Sequence, residues 1–351
     1  MIRKSVRNLT AYVPGEQPRD PGIIKLNTNE NPYPPPLQVM QALSSLTADA
    51  LRRYPDPGAQ SLREAIAEHN HVSPRQVIAG NGSDEILALC TRAFVEDDDA
   101  IGYFDPSYSL YATLAAIRNV PVRPVPLGPE YEWVRPPDND TALFFLTHPN
   151  APTGMVYSRD AIREFCVAYP GVVVIDEAYA EFAQTDCMDL ALELDNVLVA
   201  RTFSKSFSLA GIRVGYAIGA PNLIDALFKI KDSYNINALS QTLALAALRH
   251  SESMQAHVEK IRATRERLAT SLTALGHKVY PSQANFLWVA PRGISARTLF
   301  ERLREAGILI RHFPGPRTKD CVRITVGSDA DTDRLLTVLA GPCMSDEREK
   351  G

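Results

Sequence analysis

From about residue 77 to 237, short apolar runs alternate with helical patterns, and this alternation restricts the fold more than any other feature of the chain. The runs are Val77-Ile78-Ala79, Ala142 to Leu146, Val172 to Ile175, Val197 to Ala200 and Val214 to Ile218. Each is continuously apolar, as expected of strands covered on both faces, and helix-length intervals separate them. The pattern predicts an α/β domain whose mostly parallel central sheet is sandwiched by helices. At 351 residues the chain has room for a second unit.

The flanks read differently. Pro14, Pro18, Pro21, Pro32, Pro34, Pro35, Pro36, Pro55 and Pro57 crowd the first 60 residues, which rules out a continuous helix or an inner strand there. An extended arm is expected, laid over its own domain or over a partner subunit. Ser61 and Glu64 are spaced as a capping box before a helical run. A long helical stretch starts near Ala238 and runs toward Gly276, with the charged patch Glu259 to Arg267 as a solvated face. Beyond it, Asn285 to Val289, a helix near Ala296 to Ala306, Ile308 to Arg311 and Val322 to Val326 give a smaller α+β unit. The expected division is an arm over 1–45, a large domain over 46–239 and a small C-terminal domain over 240–351.

Composition narrows the function classes. With 45% hydrophobic residues, 22% charged residues and a net charge of −4, there is no basic excess for nucleic acid. No apolar run is long enough for a membrane span, and the N-terminus lacks the core of a signal peptide. Cys90, Cys166, Cys187, Cys321 and Cys343 are dispersed with no CxxC pair, as for reduced, buried thiols in the cytoplasm.

The chemistry centres on Lys205. It follows the run Val197 to Ala200 among Ser204, Ser206 and Ser208, with Arg213 eight positions on. An amine at a strand end, close to a second cation, can stay partly unprotonated and form an imine with an aldehyde cofactor. Pyridoxal phosphate (PLP) is the candidate; Ser204, Ser206 or Arg213 would take its phosphate, and its ring nitrogen needs an acidic partner. Asp176, directly after Val172 to Ile175, lies one strand-crossover-strand unit upstream. Gly80-Asn81-Gly82-Ser83-Asp84-Glu85 opens a helix and offers an anion site at its N-terminus; taken alone it is a plain turn capped by Ser83 or Asp84. Tyr108, in Phe104 to Tyr111, could stack on the pyridine face. Asn150, in the turn His148-Pro149-Asn150-Ala151-Pro152-Thr153-Gly154, could reach the phenolic oxygen. His148 has no visible metal partners and reads as structural, so no metal is expected.

With these residues in place, Thr202 to Gly211 resembles the class II aminotransferase PLP-attachment signature. The whole chain is similar to histidinol-phosphate aminotransferases of PLP fold type I. The similarity extends from Leu9 to Gly15, through Leu26 to Pro32 and Arg53 to Pro57, to Val322 to Gly327. It implies that Lys205 carries the covalent link to the cofactor, Asp176 pairs the ring nitrogen and Tyr179 meets the phenolic oxygen. Ser83, Asp84, Ser204 and Arg213 would surround the phosphate. Asn29, Glu30, Arg311 and Arg323 would bind substrate, the arginines at its anionic end. Tyr12 and Tyr54 would reach the neighbouring subunit's site, which implies a homodimer. One position departs from the family pattern: Ala151 stands where an asparagine usually precedes Pro-Thr-Gly.

The implied reaction joins a small-molecule amino donor to a 2-oxo acid, foremost histidinol phosphate and 2-oxoglutarate in histidine biosynthesis. A threonine-phosphate decarboxylase and an aromatic amino acid aminotransferase are the alternatives. A PLP-sensing transcription regulator would need an added basic domain. A dinucleotide-binding dehydrogenase fails because Glu85 stands where GxGxxG needs its last small residue.

Overall fold

The computed structural model describes residues 1, 2, 4–7, 9, 13–136 and 141–341; Tyr12 and Cys343 lie outside them. All five apolar runs are strands: Val77–Gly80, Leu143–Thr147, Val172–Asp176, Val197–Thr202 and Gly215–Gly219. Ile101–Asp105 and Val122–Pro126 complete a seven-stranded sheet. Their runs are broken by Gly102, Pro124 and Pro126, which hides them from a count of apolar residues. Val122–Pro126 tolerates its prolines because it is an edge strand.

In space the order is 77–80, 215–219, 197–202, 172–176, 143–147, 101–105, 122–126. Gly215–Gly219 runs antiparallel to both neighbours and the other pairs are parallel. The parallel strands therefore deliver their C-terminal ends to one edge. Register sets Asp176 beside Thr147 on one side and Ala200 on the other. The antiparallel strand begins at that same edge, with Gly215 paired to both Thr202 and Gly80. A Cβ on Gly215 would sit 2.4 Å from the Ser83 nitrogen, so glycine there lets the next helix start against the sheet edge.

Helices cover both faces of the sheet. Ile86, Leu87, Tyr111 and Leu227 pack against Ile78, Phe145, Val174 and Leu198 on one side. Leu62, Ile66, Ile162, Phe165 and Leu243 pack against Phe144, Val173, Ile175 and Val199 on the other. The C-terminal part folds around an antiparallel sheet ordered 311–312, 322–325, 286–290, 278–279. Helices Ala296–Glu305 and Asp329–Leu339 close its own core around Leu287, Leu299, Leu303, Ile324 and Leu335.

Four expectations change. The Ser61–Glu64 capping box does not form: the helix is Gln60–His69, entered through left-handed Ala59, and Asp56 Oδ2 accepts from the Gln60 nitrogen at 2.9 Å. The long helical stretch is broken at His250 into Ala238–Arg249 and Ser251–Ala274. The charged patch is only partly solvated. Arg265 is buried and donates to the carbonyls of Phe182 and Ala284 at 3.3 and 3.0 Å, while Arg262 donates to Glu181 and Phe182 at 3.1 and 3.2 Å. These guanidiniums satisfy the carbonyls of the short turn at 180–182, a task that lysine or water would do less completely. The proline-rich arm is interrupted by the helix Leu37–Ser44, which starts where Pro36 ends the extended run. Within the arm, Ile24 and Lys25 pair in parallel with Ile308 and Leu309, so this stretch lies on the chain's own C-terminal part.

Candidate active site

A cavity of about 550 Å³ opens at the strand-end edge, between the large sheet and the C-terminal sheet. Such a crevice is where the carboxyl ends of parallel strands place their ligands. Its lining includes Asn29, Ser83, Asp84, Tyr108, Asp176, Tyr179, Ser204, Lys205, Arg213, Arg311 and Arg323, so most of the residues singled out in the sequence meet in one space.

Asp176 ends its strand and is buried. Tyr111 donates to its Oδ2 at 2.8 Å and the Ala178 nitrogen donates to its Oδ1 at 3.2 Å. Burial pushes its pKa up from 3.8 to about 6; Tyr111 and the Ala178 amide pull it down. Lys205, half-buried, donates from Nζ to the Thr28 carbonyl at 3.1 Å and lies 5.9 Å from the Tyr179 ring. Burial lowers its pKa from 10.5 to about 8, with the positive charge of Arg323 the next cause. The floor thus holds an acid and an amine whose charged forms are both disfavoured by the same desolvation.

Beside Lys205, Arg213 Nη1 donates to Ser204 Oγ at 3.1 Å and Nη2 meets Asp84 Oδ2 at 3.2 Å. Tyr108 OH donates to the other Asp84 oxygen at 3.3 Å. Ser83 starts the eleven-residue helix Ser83–Ala93, whose first N–H groups face this corner. Gly82 has φ +82°, and a Cβ there would lie 2.5 Å from Arg213 Nη2. Arginine, serine and helix start together form an anion cradle.

The opposite wall is cationic. Arg311 and Arg323 are register partners on antiparallel strands, a placement of like charges that costs stability unless an anion lies between them. Arg323 Nη2 donates to the Asn27 carbonyl at 3.1 Å, and its guanidinium rests 5.2 and 5.4 Å from the ring centres of Phe286 and Phe313. Arg311 is held by the carbonyls of Pro14 and Val13 at 3.1 and 2.6 Å. Between wall and floor, buried Asn29 donates to the Tyr179 hydroxyl at 2.9 Å and accepts from Thr325 Oγ1 at 3.0 Å. Asn29 holds φ 57°, the left-handed region that asparagine tolerates better than most residues.

Four of the expected residues lie outside the lining of this cavity. Asn150 is fully buried in the turn after strand Leu143–Thr147: its Oδ1 accepts from Thr153 Oγ1 at 2.8 Å and its Nδ2 donates to the Pro106 carbonyl at 3.3 Å. Ala151 and Pro152 line the cavity in its place, because a carboxamide that closes its own turn cannot also face outward. Glu30 is paired with Lys25 and does not line the cavity. Tyr54 is 80% exposed and stacked on Tyr234 at 4.4 Å. Ser206, weighed for the phosphate, is fully buried away from the lining. Tyr12 lies outside the described residues.

Other residues reach the site without having been singled out. Tyr111 and Thr147 bond each other at 2.6 Å beneath Asp176; Thr147 ends a strand directly after an apolar run, the same signal that marked Asp176. Phe313, Pro314 and Thr318 come from a loop with no such signal. His148, Glu177 and Cys187 cluster behind the edge. There Arg201 bonds Glu177 through Nε and Nη2 at 3.0 and 2.7 Å, and the Cys187 nitrogen donates to the other Glu177 oxygen at 2.5 Å.

Comparison with known proteins agrees with this geometry. A histidinol-phosphate aminotransferase from Synechocystis sp. is 46% identical over 340 residues, 97% of each chain. One from Microcystis aeruginosa is 42% identical over 96% of this chain and 97% of its own. The crystal structure of histidinol-phosphate aminotransferase from Sinorhizobium meliloti in complex with pyridoxal-5'-phosphate superposes with a TM-score of 0.86 at 25% identity, covering 96% of each chain. Residues 21–339 match the family described as Aminotransferase class I and II, and with that match, a lysine and an aspartate at adjoining strand ends, and an arginine wall across from them, the chain belongs to that family.

Proposed function

We propose that the protein is a PLP-dependent aminotransferase whose substrates are histidinol phosphate and 2-oxoglutarate, and whose products are imidazole acetol phosphate and glutamate. One observation carries this reading: Lys205 and Asp176 face a single cavity whose far wall presents Arg311 and Arg323 as cross-strand partners. The names of the curated relatives support the choice of amine.

The residues present suit the cofactor. Ser204, Arg213 and the helix start at Ser83 and Asp84 would hold its phosphate, in a corner that only glycine at 82 and 215 leaves open. Asp176 would pair its ring nitrogen, Tyr179 its phenolic oxygen and Tyr108 one face. When bound, the cofactor supplies an aldehyde that condenses with amines and a ring that accepts electrons.

The chain's own residues do the rest. Burial brings the Lys205 pKa down to about 8, which favours the neutral amine that would hold the cofactor's aldehyde and serve as base toward the substrate Cα proton. The Thr28 carbonyl holds the amine in place between these tasks. Asp176, ionised above about pH 6, would keep a proton on the cofactor's ring nitrogen. Arg323 and Arg311 bind the phosphate of one substrate and a carboxylate of the other; guanidinium forks suit either anion.

This reading includes a cytoplasmic homodimer with shared sites, in which Tyr54 and Tyr12 serve the partner's cavity. Support comes from the large apolar side chains left exposed close together in sequence at Leu37, Met40, Leu51 and Tyr54. Arm, large and small parts are divided near residues 45 and 239. The test is a steady-state assay with histidinol phosphate and 2-oxoglutarate, run beside phosphothreonine alone. Turnover of the first pair is expected; carbon dioxide release from phosphothreonine in its place would overturn the assignment.

A further inference from the structure

We propose that Tyr111, backed by Thr147 and Ser107, is a positioning residue that holds Asp176 as an oriented, ionised carboxylate. The proposal rests on the aminotransferase reading for its consequence but on geometry alone for its content. Tyr111 sits on the helix Leu110–Arg118, fully buried, with its ring stacked on Phe145 at 4.6 Å and tilted by only 12°. The stack fixes the ring plane, so the hydroxyl has one place to go. That place lies 2.8 Å from Asp176 Oδ2 and 2.6 Å from Thr147 Oγ1. Thr147 in turn lies 3.0 Å from Ser107 Oγ, and Ser107 lines the cavity.

Three hydroxyls in a row, ending on one carboxylate, have a preferred direction. A carboxylate only accepts. Tyr111 therefore spends its single hydrogen on Asp176, Thr147 donates to Tyr111, and Ser107 donates to Thr147. Each donor is polarised by the one behind it, and all dipoles point their positive ends at Oδ2. Protonation at Oδ2 would oblige the row to reverse, and protonation at Oδ1 would leave Tyr111 donating to a neutral, weaker acceptor, so the row favours the ionised form.

The need for such a device is visible in the surroundings. Burial disfavours the Asp176 charge, and the carboxylate of Asp84 faces it as well, although Arg213 is drawn to Asp84. Lys205 is a nearby cation that favours the charged form of Asp176, and burial lowers its own pKa to about 8. When Lys205 is consumed in chemistry it cannot hold Asp176 ionised; Tyr111 and the Ala178 amide remain.

The experiment uses the cofactor-free protein, so that it reads the hydroxyl row and not catalysis. The side-chain carboxyl carbon of Asp176 is followed by NMR through a pH titration in wild type, Tyr111→Phe and Thr147→Val. Tyr111→Phe keeps the stacked ring and removes only the oxygen. A hydrogen bond to a charged group contributes about 1.5–3 kcal/mol, so its loss is expected to raise the Asp176 midpoint by about one to two pH units. Thr147→Val acts one bond further away and is expected to move it the same way by less. In the loaded enzyme, Tyr111→Phe is expected to lower kcat about tenfold, with KM within about twofold of wild type. An unchanged Asp176 midpoint in both folded variants overturns the proposal, whatever the substrate proves to be. A normal titration shift without histidinol phosphate turnover would instead overturn the assigned function and leave Tyr111 in its role.

Discussion

The floor and the wall of the cavity handle charge in opposite ways. On the floor, Asp176 and Lys205 are set in or beside the large sheet, and burial moves both toward neutrality, to about 6 and about 8. On the wall, backbone carbonyls and aromatic faces hold the guanidiniums of Arg311 and Arg323 where water would otherwise be. Desolvation tunes groups that must exchange protons; carbonyl anchoring fixes groups that must only attract. Loss of a floor residue is therefore expected to strike the rate, and loss of a wall residue to strike binding.

The largest effect is expected from Lys205→Ala. Without the amine there is neither nucleophile nor base, and transamination is expected to fall by about 10⁴-fold or more. Borohydride treatment followed by mass analysis of the peptide is expected to find no cofactor adduct at position 205. A reducible adduct in that variant would move the covalent link elsewhere.

Asp176→Asn comes next, with an expected rate loss of order 10²-fold at retained cofactor binding. It also separates function from stability. Burial raises this carboxyl from 3.8 to about 6, so the folded state binds the proton more tightly than the unfolded chain. Its contribution is fully present below pH 3.8 and is lost as the pH rises through about 6, leaving the native carboxylate at a cost of up to ~3 kcal/mol near neutrality. The cofactor-free Asp176→Asn protein is expected to melt above wild type at pH 8, with the gain vanishing between about pH 6 and pH 4. Equal melting temperatures at pH 8 would mean that the folded-state carboxyl titrates no higher than in the unfolded chain.

Wall variants sharpen the contrast. Arg323→Ala is expected to raise the apparent KM for amine and oxo acid together, by about 10- to 100-fold, as when a charged hydrogen-bond donor is lost. A rise on one side only would assign the two anions to different groups. Arg311→Ala, whose guanidinium is already engaged by Val13 and Pro14, is expected to give the smallest change, a few-fold in KM. Limited proteolysis of the same variant is expected to cut the arm near Val13 faster than in wild type.

The floor was far more legible in the sequence than the wall. Asp176 and Lys205 follow continuous apolar runs, and a parallel strand fixes where its last residue must point. Thr147 carries the same signal, but threonine has no acid-base chemistry of its own at a strand end, and its role depends on Tyr111 folding beneath it. Arg311 and Arg323 sit in short strands whose pairing depends on contacts between distant segments, and only the family resemblance singled them out. Asn150 shows the limit most clearly. The strand-end turn around it is legible from its prolines and glycine, yet which of two adjacent residues faces the cavity depends on the hydrogen bond to Thr153, and Ala151 lines it. Arg262 and Arg265 looked like a solvated stripe because periodicity reports a helix face, whereas the carbonyls they bind lie on another element.

The most direct measurement of the central claim is a half-reaction. Cofactor-loaded protein is mixed with histidinol phosphate near pH 8 without any oxo acid, and the absorbance of the cofactor's aldehyde form is followed in a single turnover. One equivalent is expected to be lost in wild type and restored by 2-oxoglutarate, with Arg323→Ala needing far more of both substrates and Lys205→Ala showing neither phase. Persistence of the aldehyde form with saturating histidinol phosphate, in protein that consumes phosphothreonine and releases carbon dioxide, would contradict the account.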